Sequence, residues 1–389
     1  MCFDMIKALG FTAIRSDYDL MSSLFKLMKN DDAFEIKLIV SGAHLSTQYG
    51  NSVDLIEKDG FDFVKIETLI NSDSNSARIK SASILLQNAI DIVKDYAPDV
   101  ILCAGDREDA LMTTIIGGFL EIPVVHFFGG DHVPDGHIDN AVRHACSKLA
   151  NIHITSLESH RQRLITMGEA PKRVFNLGSV ALDKFVNTPI IDRNELSVTL
   201  NTPIINQDYC LIVFHPLFSE KEMYAQNFSL MIDCLLASNL KICINSPNID
   251  PGNFEFKKIK EKYTGLEQVY FFENLERQQF VSLFKHCKFI MGNSSAGITE
   301  AASLKVPTIN VGERNRDRAP NESVLFTDCT KKDLLESINT VLSEPFQKKM
   351  ETVENIYGRG DSSKRALELL KTLDLSSFLY KKEDVLENE

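Results

Sequence analysis

The chain has 389 residues, of which 44% are hydrophobic and 25% are charged, and its formal net charge is −12. This length exceeds what one hydrophobic core usually serves, so we expect two domains of ordinary size. An acidic surface repels a phosphate backbone, so the net charge excludes nucleic acid as a general partner and allows only a local basic pocket for a small anion.

Apolar runs alternate with helical patterns along the first half of the chain, which is typical of a parallel sheet covered by helices. The predicted strands are 6–12, 34–40, 61–67, 99–105, 123–129 and 151–156. Helical periodicity predicts a helix around 20–28 and another over 76–95. A third helix is predicted from Ile138, and its apolar face consists of Ile138, Ala141, Val142, Ala145 and Leu149.

The pattern weakens between Asn187 and Asp208, and a second alternation then begins. Its predicted strands are 208–214, 240–245, 268–274, 288–293 and 306–312. We therefore predict a GT-B-like α/β fold, in which two doubly wound, Rossmann-like domains flank an interdomain cleft. The predicted domains are 1–186 and 187–365, with a C-terminal helix and tail over 366–389 whose expected place is against the N-terminal domain.

The cysteines favour a reducing compartment. All eight are scattered without a CxxC pair, and several lie in apolar runs, where small buried thiols are common. No apolar run reaches the roughly 18 residues that a membrane span needs, and no signal-peptide pattern is present at the N-terminus. The sequence therefore predicts a cytoplasmic protein without a membrane partner.

Polar residues that directly follow a strand are the first candidates for a site, because ligands of open α/β sheets bind outside the carboxyl ends of the strands. In the first half these junctions are 13–18, 41–44, 105–107 and 129–131, and in the second half they are 215–216 and 292–295. Loops are polar in any case, so a single junction of this kind is weak evidence.

The junction at 291–307 predicts an anion site. Gly292 allows a sharp turn, Ser294 or Ser295 can cap the following helix, and the free N–H groups of that helix attract a phosphate. Glu300 lies one to two turns further on, where a carboxylate can accept hydrogen bonds from a ribose diol. The alternative is an ordinary capped helix with a surface glutamate.

The run 313–318 brings three arginines to the same end of the second sheet, where they could pair with a diphosphate. Charge runs are more often solvated surface. The position directly after a predicted strand favours the diphosphate role for this run, including Arg318.

The segment 126–145 contains four of the nine histidines of the chain and raises the question of a metal site. His132, Asp135 and His137 have no regular spacing that would direct them to one ion, so we predict neither a metal nor another cofactor. His126 lies within a strand and is interpreted as a satisfied core residue. Asp139 could pair with Arg143 one turn later or cap its own helix.

Carboxylates near the strand ends favour acid/base chemistry instead. Asp106, Asp131 and Asp139 are all near strand ends of one sheet, and acids that are brought together cannot all ionise normally. At least one is therefore expected to have a raised pKa. His215, in the second half, is placed to protonate or stabilise a leaving phosphate.

Together these residues resemble a known family, the hydrolysing UDP-N-acetylglucosamine 2-epimerases, over roughly 5–372. The motifs that carry the resemblance are RSDY (15–18), GDR (105–107), GGD (129–131), IDN (138–140), RHA (143–145), HP (215–216), PNID (247–250), GNSS (292–295) and IYG (356–358). The segment GERNRDR (312–318) resembles the arginine pattern of the hydrolysing branch.

The resemblance implies elimination of UDP from UDP-N-acetylglucosamine, followed by hydration of a glycal-like intermediate to N-acetylmannosamine, the entry to sialic-acid-type sugars. It also implies a homodimer or homotetramer. By motif, Asp106, Asp131 and Asp139 would supply acid/base groups and His215 would assist departure of the diphosphate. The implied binding residues are Arg15, Ser294, Ser295 and Arg318 for the phosphates, Glu300 for the ribose, and Asn248 and Asp250 for the sugar or nucleotide.

Two departures from the family pattern leave the substrate open. Phe128 stands where some members carry a glutamate, so Asp131 would do its work, and Ala104 replaces a histidine. The alternatives are the same reaction on UDP- or GDP-linked diacetylbacillosamine, a GT-B glycosyltransferase, and a catalytically silent nucleotide-sugar sensor.

Overall fold

The computed structural model describes residues 5–72, 74–132, 138–215, 223–246, 254–273 and 275–384. These form two compact units. Unit 1 contains the described residues up to Lys184 together with those from Gly360 onwards, and unit 2 is Phe185–Arg359.

Unit 1 is built on a seven-stranded sheet in the order β3-β2-β1-β4-β5-β6-β7, and all of its pairs are parallel. The strands are β1 (Ile6–Thr12), β2 (Phe34–Ser41), β3 (Asp62–Ile66), β4 (Val100–Ala104), β5 (Val124–Phe127), β6 (Ile152–Thr155) and β7 (Val174–Asn176). The strand order reverses between β1 and β4, and such a switch point is where ligands of these sheets bind.

The helices of unit 1 cover both faces of the sheet, which is why the central strands are apolar throughout. They are α1 (Arg15–Lys29), α2 (Val53–Lys58), α3 (Asn75–Tyr96), α4 (Glu108–Phe119), α5 (Ile138–Leu149), α6 (Glu158–Thr166), α7 (Val180–Val186, which crosses into unit 2) and α15 (Ser362–Thr372). One core contains residues of α1 and α15, and the other is formed largely by α3, α4 and the opposite sheet face.

The predicted apolar face of α5 is wrong. Ile138 and Leu149 are exposed, and the buried side chains of this helix are Arg143, Cys146 and Ser147. The helix turns a polar stripe inward because the neighbouring strand ends offer partners for Arg143 and Ser147, as described below. Periodicity alone assumes that the apolar stripe is the buried one.

Unit 2 has a six-stranded parallel sheet in the order β10-β9-β8-β11-β12-β13. Its strands are β8 (Tyr209–Val213), β9 (Lys241–Asn245), β10 (Val269–Phe272), β11 (Ile290–Gly292), β12 (Thr308–Val311) and β13 (Val324–Thr327). Its helices are α8 (Arg193–Thr199), α9 (Tyr224–Ala237), α10 (Phe254–Tyr263), α11 (Arg277–His286), α12 (Ser295–Thr299), α13 (Lys331–Leu342) and α14 (Glu344–Thr352). Its switch point lies between β8 and β11.

The two units confirm the predicted α/β class with doubly wound parallel sheets. Every predicted strand is present, and the predictions missed only β7 and β13 among the described strands. None of the helices in the described part of the chain combines the length and the apolar character that crossing a bilayer requires.

Candidate functional site

The carboxyl ends of β4 and β5 in unit 1 place Asp106 and Asp131 on either side of a buried arginine. Arg143 reaches inward from α5 and forms an ion pair with Asp106 through its Nη2 atom. Its Nη1 atom donates to the backbone oxygen of Asp131 at 3.1 Å and to the side chain of Asn140 at 3.0 Å. The arginine side chain is only 6% exposed, so little solvent screens these contacts.

Asp139 lies in the first turn of the same helix. Glu108 is the main cause of the raised pKa of Arg78 on α3, and the charge of Asp139 contributes to it. The structure therefore brings Asp106 and Asp131 to one arginine, and it places Asp139 within electrostatic range of a second one. The arginine at 143, which the sequence suggested as an intrahelical partner for Asp139, is engaged by Asp106 instead.

Three histidines surround Asp131. The Nε2 atom of His160 lies 3.4 Å from the Asp131 carboxylate, which also accepts the backbone N–H of His132 at 2.8 Å. The rings of His132 and His144 stack with centroids 6.4 Å apart. Burial, and then the charge of Arg143, lower the pKa of His144, which keeps this ring neutral. Nothing in the sequence spacing indicated His160, since it reaches the site from α6.

A second carboxyl pair, Asp17 and Asp109, lines a small pocket at the switch point between β1 and β4. Burial raises the pKa of Asp17 to about 7, and the charge of Asp109 adds to the shift. Burial likewise raises the pKa of Asp109 to about 6. Arg107 lies 3.8 Å from the Asp109 carboxylate and opposes both shifts.

Sequence reasoning missed this second pair. The expectation of a raised carboxyl pKa had been attached to Asp106, Asp131 and Asp139. Asp17 and Asp109, whose pKa values are raised, each lie in the first turn of the helix that follows their strand. Asp17 was within the quoted RSDY motif, and Asp109 follows GDR by two residues. Their position after β1 and β4 was a signal, but the burial that raises their pKa values could only come from the fold.

Arg15 begins α1, directly after the switch-point end of β1. Its side chain is 70% exposed, and its Nε atom lies 3.7 Å from Asp19 one turn later. Such an exposed ion pair is weak and can be exchanged for a ligand anion at little cost. Arg15 is thus available to a phosphate in unit 1.

In unit 2, Asn293 joins the ends of the two switch-point strands. Its side-chain oxygen accepts the backbone N–H of His215 at 2.7 Å, and its amide donates to the His215 oxygen at 2.8 Å. Gly292 permits this close approach, since its φ is +142° and a Cβ atom there would lie 2.1 Å from the carbonyl oxygen of Val213. Gly292 is therefore required by the backbone, as the sequence suggested.

The predicted helix start at Ser294 is present. Ser294 caps α12 and accepts the N–H of Ala296 at 3.3 Å, while Ser295 begins the helix and is exposed. The helix ends at Thr299, so it is shorter than predicted. Glu300 follows it, and burial raises the pKa of this carboxyl to about 7, a shift that Arg277 opposes.

The arginine run separates into two kinds of residue. Arg316 pairs with Glu313 and Asp328 and is a structural cation. Arg314 and Arg318 have no carboxylate within 4.0 Å among the residues that the structure describes, and burial, and then the charge of Arg318, lower the pKa of Arg314. The two arginines are therefore candidates for binding an anion.

His215 lies within electrostatic range of Arg314. Burial, and then the charge of Arg314, lower its pKa, so the imidazole is neutral near pH 7 and carries one N–H. Arg314 was part of the predicted run but was not selected, and its proximity to His215 is the signal that the sequence lacked.

Some predicted residues fall outside the described part of the chain. These are Asn248 and Asp250, as well as Asp135 and His137 from the rejected metal site. Within the described ranges, no three His, Cys, Asp or Glu side chains are grouped so that they could hold a metal ion.

Comparison with known proteins identifies the family. Residues 26–371 match the family model described as UDP-N-acetylglucosamine 2-epimerase. The chain belongs to the UDP-N-acetylglucosamine 2-epimerase family. A Legionella pneumophila relative, the hydrolysing UDP-N,N′-diacetylbacillosamine 2-epimerase, is 32% identical over 97% of this chain and 98% of its own length. The hydrolysing GDP/UDP-N,N′-diacetylbacillosamine 2-epimerase of Campylobacter jejuni is 29% identical over 95% and 96%.

The fold agrees with that of a solved 2-epimerase. The UDP-GlcNAc 2-epimerase of Neisseria meningitidis, whose structure contains UDP-GlcNAc, superposes with a TM-score of 0.74 at 19% identity and covers 94% of this chain and 100% of its own. The likeness confirms the GT-B-like α/β class. The predicted membership of a nucleotide-sugar 2-epimerase family is therefore confirmed.

Proposed function

We propose that this 2-epimerase is of the hydrolysing type and releases a free 2-epimerised acetamido sugar and UDP from a UDP-linked sugar. The observation that carries the proposal is the group of Asp106, Asp131 and Arg143 at the carboxyl edge of the unit 1 sheet. A reaction that removes and returns a proton at carbon 2 needs carboxyl groups of this kind, and membership of the epimerase family favours it over the glycosyltransferase alternative.

The proposed reaction has two steps. In the first, a carboxylate of unit 1 takes the proton from carbon 2, the bond between carbon 1 and the diphosphate oxygen breaks, and a glycal-like intermediate forms. In the second, water adds its hydroxyl to carbon 1 and gives its remaining proton to a carboxylate, and a second, protonated carboxyl group delivers a proton to carbon 2 on the opposite face. Asp106, Asp131 and Asp139 are the proposed acid/base groups, and the ion pair with Arg143 orients Asp106.

Unit 2 supplies the proposed diphosphate site. Arg314 and Arg318 bind the phosphate oxygens, and the neutral His215 donates its N–H to the leaving group, which gains negative charge as the bond breaks. Ser294, Ser295 and the exposed Arg15 of unit 1 are proposed as further phosphate contacts, and Glu300 as the ribose contact. Asn248 and Asp250 stay proposed contacts from the sequence alone.

UDP-N,N′-diacetylbacillosamine is the proposed sugar substrate, because the hydrolysing relatives from Legionella and Campylobacter that share 32% and 29% identity carry that name. UDP-N-acetylglucosamine, the first choice from the sequence, is the second candidate. A Neisseria meningitidis UDP-N-acetylglucosamine 2-epimerase is 29% identical over 87% of this chain. Cytoplasmic location and a homodimer or homotetramer remain part of the proposal.

The test is turnover in deuterated water. Purified protein is incubated separately with each of the two UDP-sugars, and proton NMR follows the sugar while UDP release is measured in parallel. We expect free 2-epimerised sugar with deuterium at carbon 2, and faster turnover of the diacetylbacillosamine donor. An epimerised sugar still attached to UDP would contradict the hydrolysing type, and absence of turnover with bound UDP would favour the sensor.

A further inference from the structure

His126 is a fully buried histidine that the proposed mechanism does not use. It lies on β5, and its ring bridges two other elements. The Nε2 atom is 2.8 Å from the backbone oxygen of Gly105, in the loop after β4, and the Nδ1 atom is 3.0 Å from the hydroxyl of Ser147 on α5. Both ring nitrogens are therefore satisfied, as the sequence interpretation of a core residue expected.

The hydrogen bonds fix the tautomer of this ring. A backbone carbonyl only accepts, so Nε2 carries the proton and donates it to Gly105. Nδ1 is then an acceptor for the hydroxyl of Ser147, whose single proton goes either to Nδ1 or to the Arg143 backbone oxygen. Burial lowers the pKa of His126 to about 3, so the ring keeps this single N–H throughout the pH range in which the protein works.

The two partners of His126 lie close in the chain to Asp106 and Arg143, which form an ion pair with each other. Gly105 directly precedes Asp106, and its φ of +86° sets the direction in which the chain leaves β4. Ser147 follows Arg143 by one helical turn, and its hydroxyl lies 3.1 Å from the Arg143 backbone oxygen. One imidazole thus contacts both the loop of the carboxylate and the helix of the arginine.

The loop after β5 packs closely against the same ring. Gly129 begins the loop that leads to Asp131, and a Cβ atom at this position would lie 2.9 Å from the Ser147 hydroxyl and 3.1 Å from the His126 Nδ1 atom. The backbone of this loop can therefore lie against the His126–Ser147 pair only because residue 129 has no side chain.

We infer that His126 is a positioning residue for the proposed reaction. Its two hydrogen bonds fix the position of the Gly105–Asp106 loop relative to α5, the helix that carries Arg143. This inference rests on the proposed function, because the carboxylate that it positions is assigned there. A misplacement of about 1 Å at a catalytic group can lower turnover roughly 100-fold. Loss of the link that His126 makes between the two segments, here called the tether, should therefore lower kcat.

Two amide substitutions separate the two hydrogen bonds. In His126→Gln the amide nitrogen reaches the place of Nε2 and can still donate to Gly105, whereas in His126→Asn it reaches only the place of Nδ1. We expect His126→Gln to keep kcat within about 5-fold of wild type and His126→Asn to lose about 100-fold, with the Kd for UDP unchanged within about 2-fold in both. Ser147→Ala keeps the bond to Gly105 and should lie between them.

His153 provides the matched control. It is also fully buried, it is the register partner of His126 on the adjacent strand β6, and its Nε2 atom lies 3.0 Å from Glu169 rather than from the strand-end loops. His153→Gln and His153→Asn should lower the free energy of unfolding by about as much as the corresponding substitutions at His126, but the two His153 variants should have the same kcat. Equal losses at 126 and 153, or a loss of UDP affinity that parallels kcat, would overturn the inference.

Hydrogen–deuterium exchange provides a readout that does not depend on turnover. In His126→Asn, exchange should accelerate in the peptides that cover 103–107 and 141–147, and in His153→Asn it should not. If the wild-type protein turns over neither UDP-sugar, the proposed function fails, and this exchange comparison still decides whether His126 tethers the two segments. Unchanged exchange in His126→Asn would refute the tether even if turnover fell.

Discussion

The half-buried carboxyl of Asp17 should make the protein less stable as the pH rises. Its pKa is about 7 in the folded protein, against 3.8 as the reference value. Below both values the carboxyl is protonated in the folded and unfolded states alike. Between them the unfolded chain ionises while the folded protein does not, so the free energy of unfolding falls as the pH rises towards 7 and stays low above it.

The shift sets the size of the effect. At about 1.36 kcal/mol per pKa unit, the shift from 3.8 to about 7 corresponds to a penalty of roughly 4 kcal/mol at pH 8. Asp17 is only half-buried, and solvent reaching it reduces this figure, so we expect about 2 kcal/mol. Asp17→Asn removes the ionisation, and it should therefore be more stable than wild type at pH 8 by that amount and by only about half of it at pH 4.5, where the unfolded carboxyl is already mostly ionised but the full penalty has not been reached.

Urea denaturation of wild type and Asp17→Asn at pH 4.5 and pH 8 measures the effect as a change in the stability difference between the two proteins, in which titrating groups that do not interact with Asp17 cancel. Asp91→Asn, at an exposed position on α3, is the control and should show the same difference at both pH values. The reasoning would be refuted if Asp17→Asn were no more stabilising at pH 8 than at pH 4.5.

Three further substitutions test the other parts of the site. Arg143→Met leaves Asp106 without its buried partner. It should lower kcat by about 100-fold in steady-state kinetics and the free energy of unfolding by about 3 kcal/mol in urea denaturation. Gly292→Ala should cost more than about 3 kcal/mol in the same denaturation experiment, whereas Gly265→Ala, which also has a positive φ but open space around its Cβ, should cost about 1 kcal/mol. Arg314→Met should weaken UDP binding about 10-fold in calorimetry, and the loss should shrink as salt is raised.

The sheets could be predicted closely because both of their faces are buried, which leaves continuous apolar runs in the sequence. β7 and β13 were missed, and both are edge strands of their sheets. β7 has three residues and β13 has four, and each is partly exposed, so neither produces the long apolar run on which the prediction depended.

Strand-end position was enough to predict where Asp106, Asp131, His215 and Ser294 lie in the fold, because the carboxyl ends of parallel strands meet at one edge; their roles stay predictions. It could not identify Arg143, since the rule that apolar faces of helices are buried predicted the opposite orientation for α5. The inward orientation depends on partners that lie 12 and 37 residues away in the chain. Contacts of that range come only from the fold.

The charge distribution of each unit fits a separate part of the proposed reaction. In unit 1, Arg143 pairs with Asp106 and Arg107 lies near Asp109, so these carboxylates have arginine partners. In unit 2 Arg314 and Arg318 are not balanced by nearby carboxylates among the described residues, and such a site gains most from an added anion. A diphosphate should therefore bind to unit 2 even when the acid/base groups of unit 1 are removed.

Asp106→Asn should accordingly abolish turnover and leave the Kd for UDP within about 2-fold of wild type, since the carboxylate acts on the sugar and not on the phosphates. A large loss of UDP affinity in this variant would contradict that division of roles.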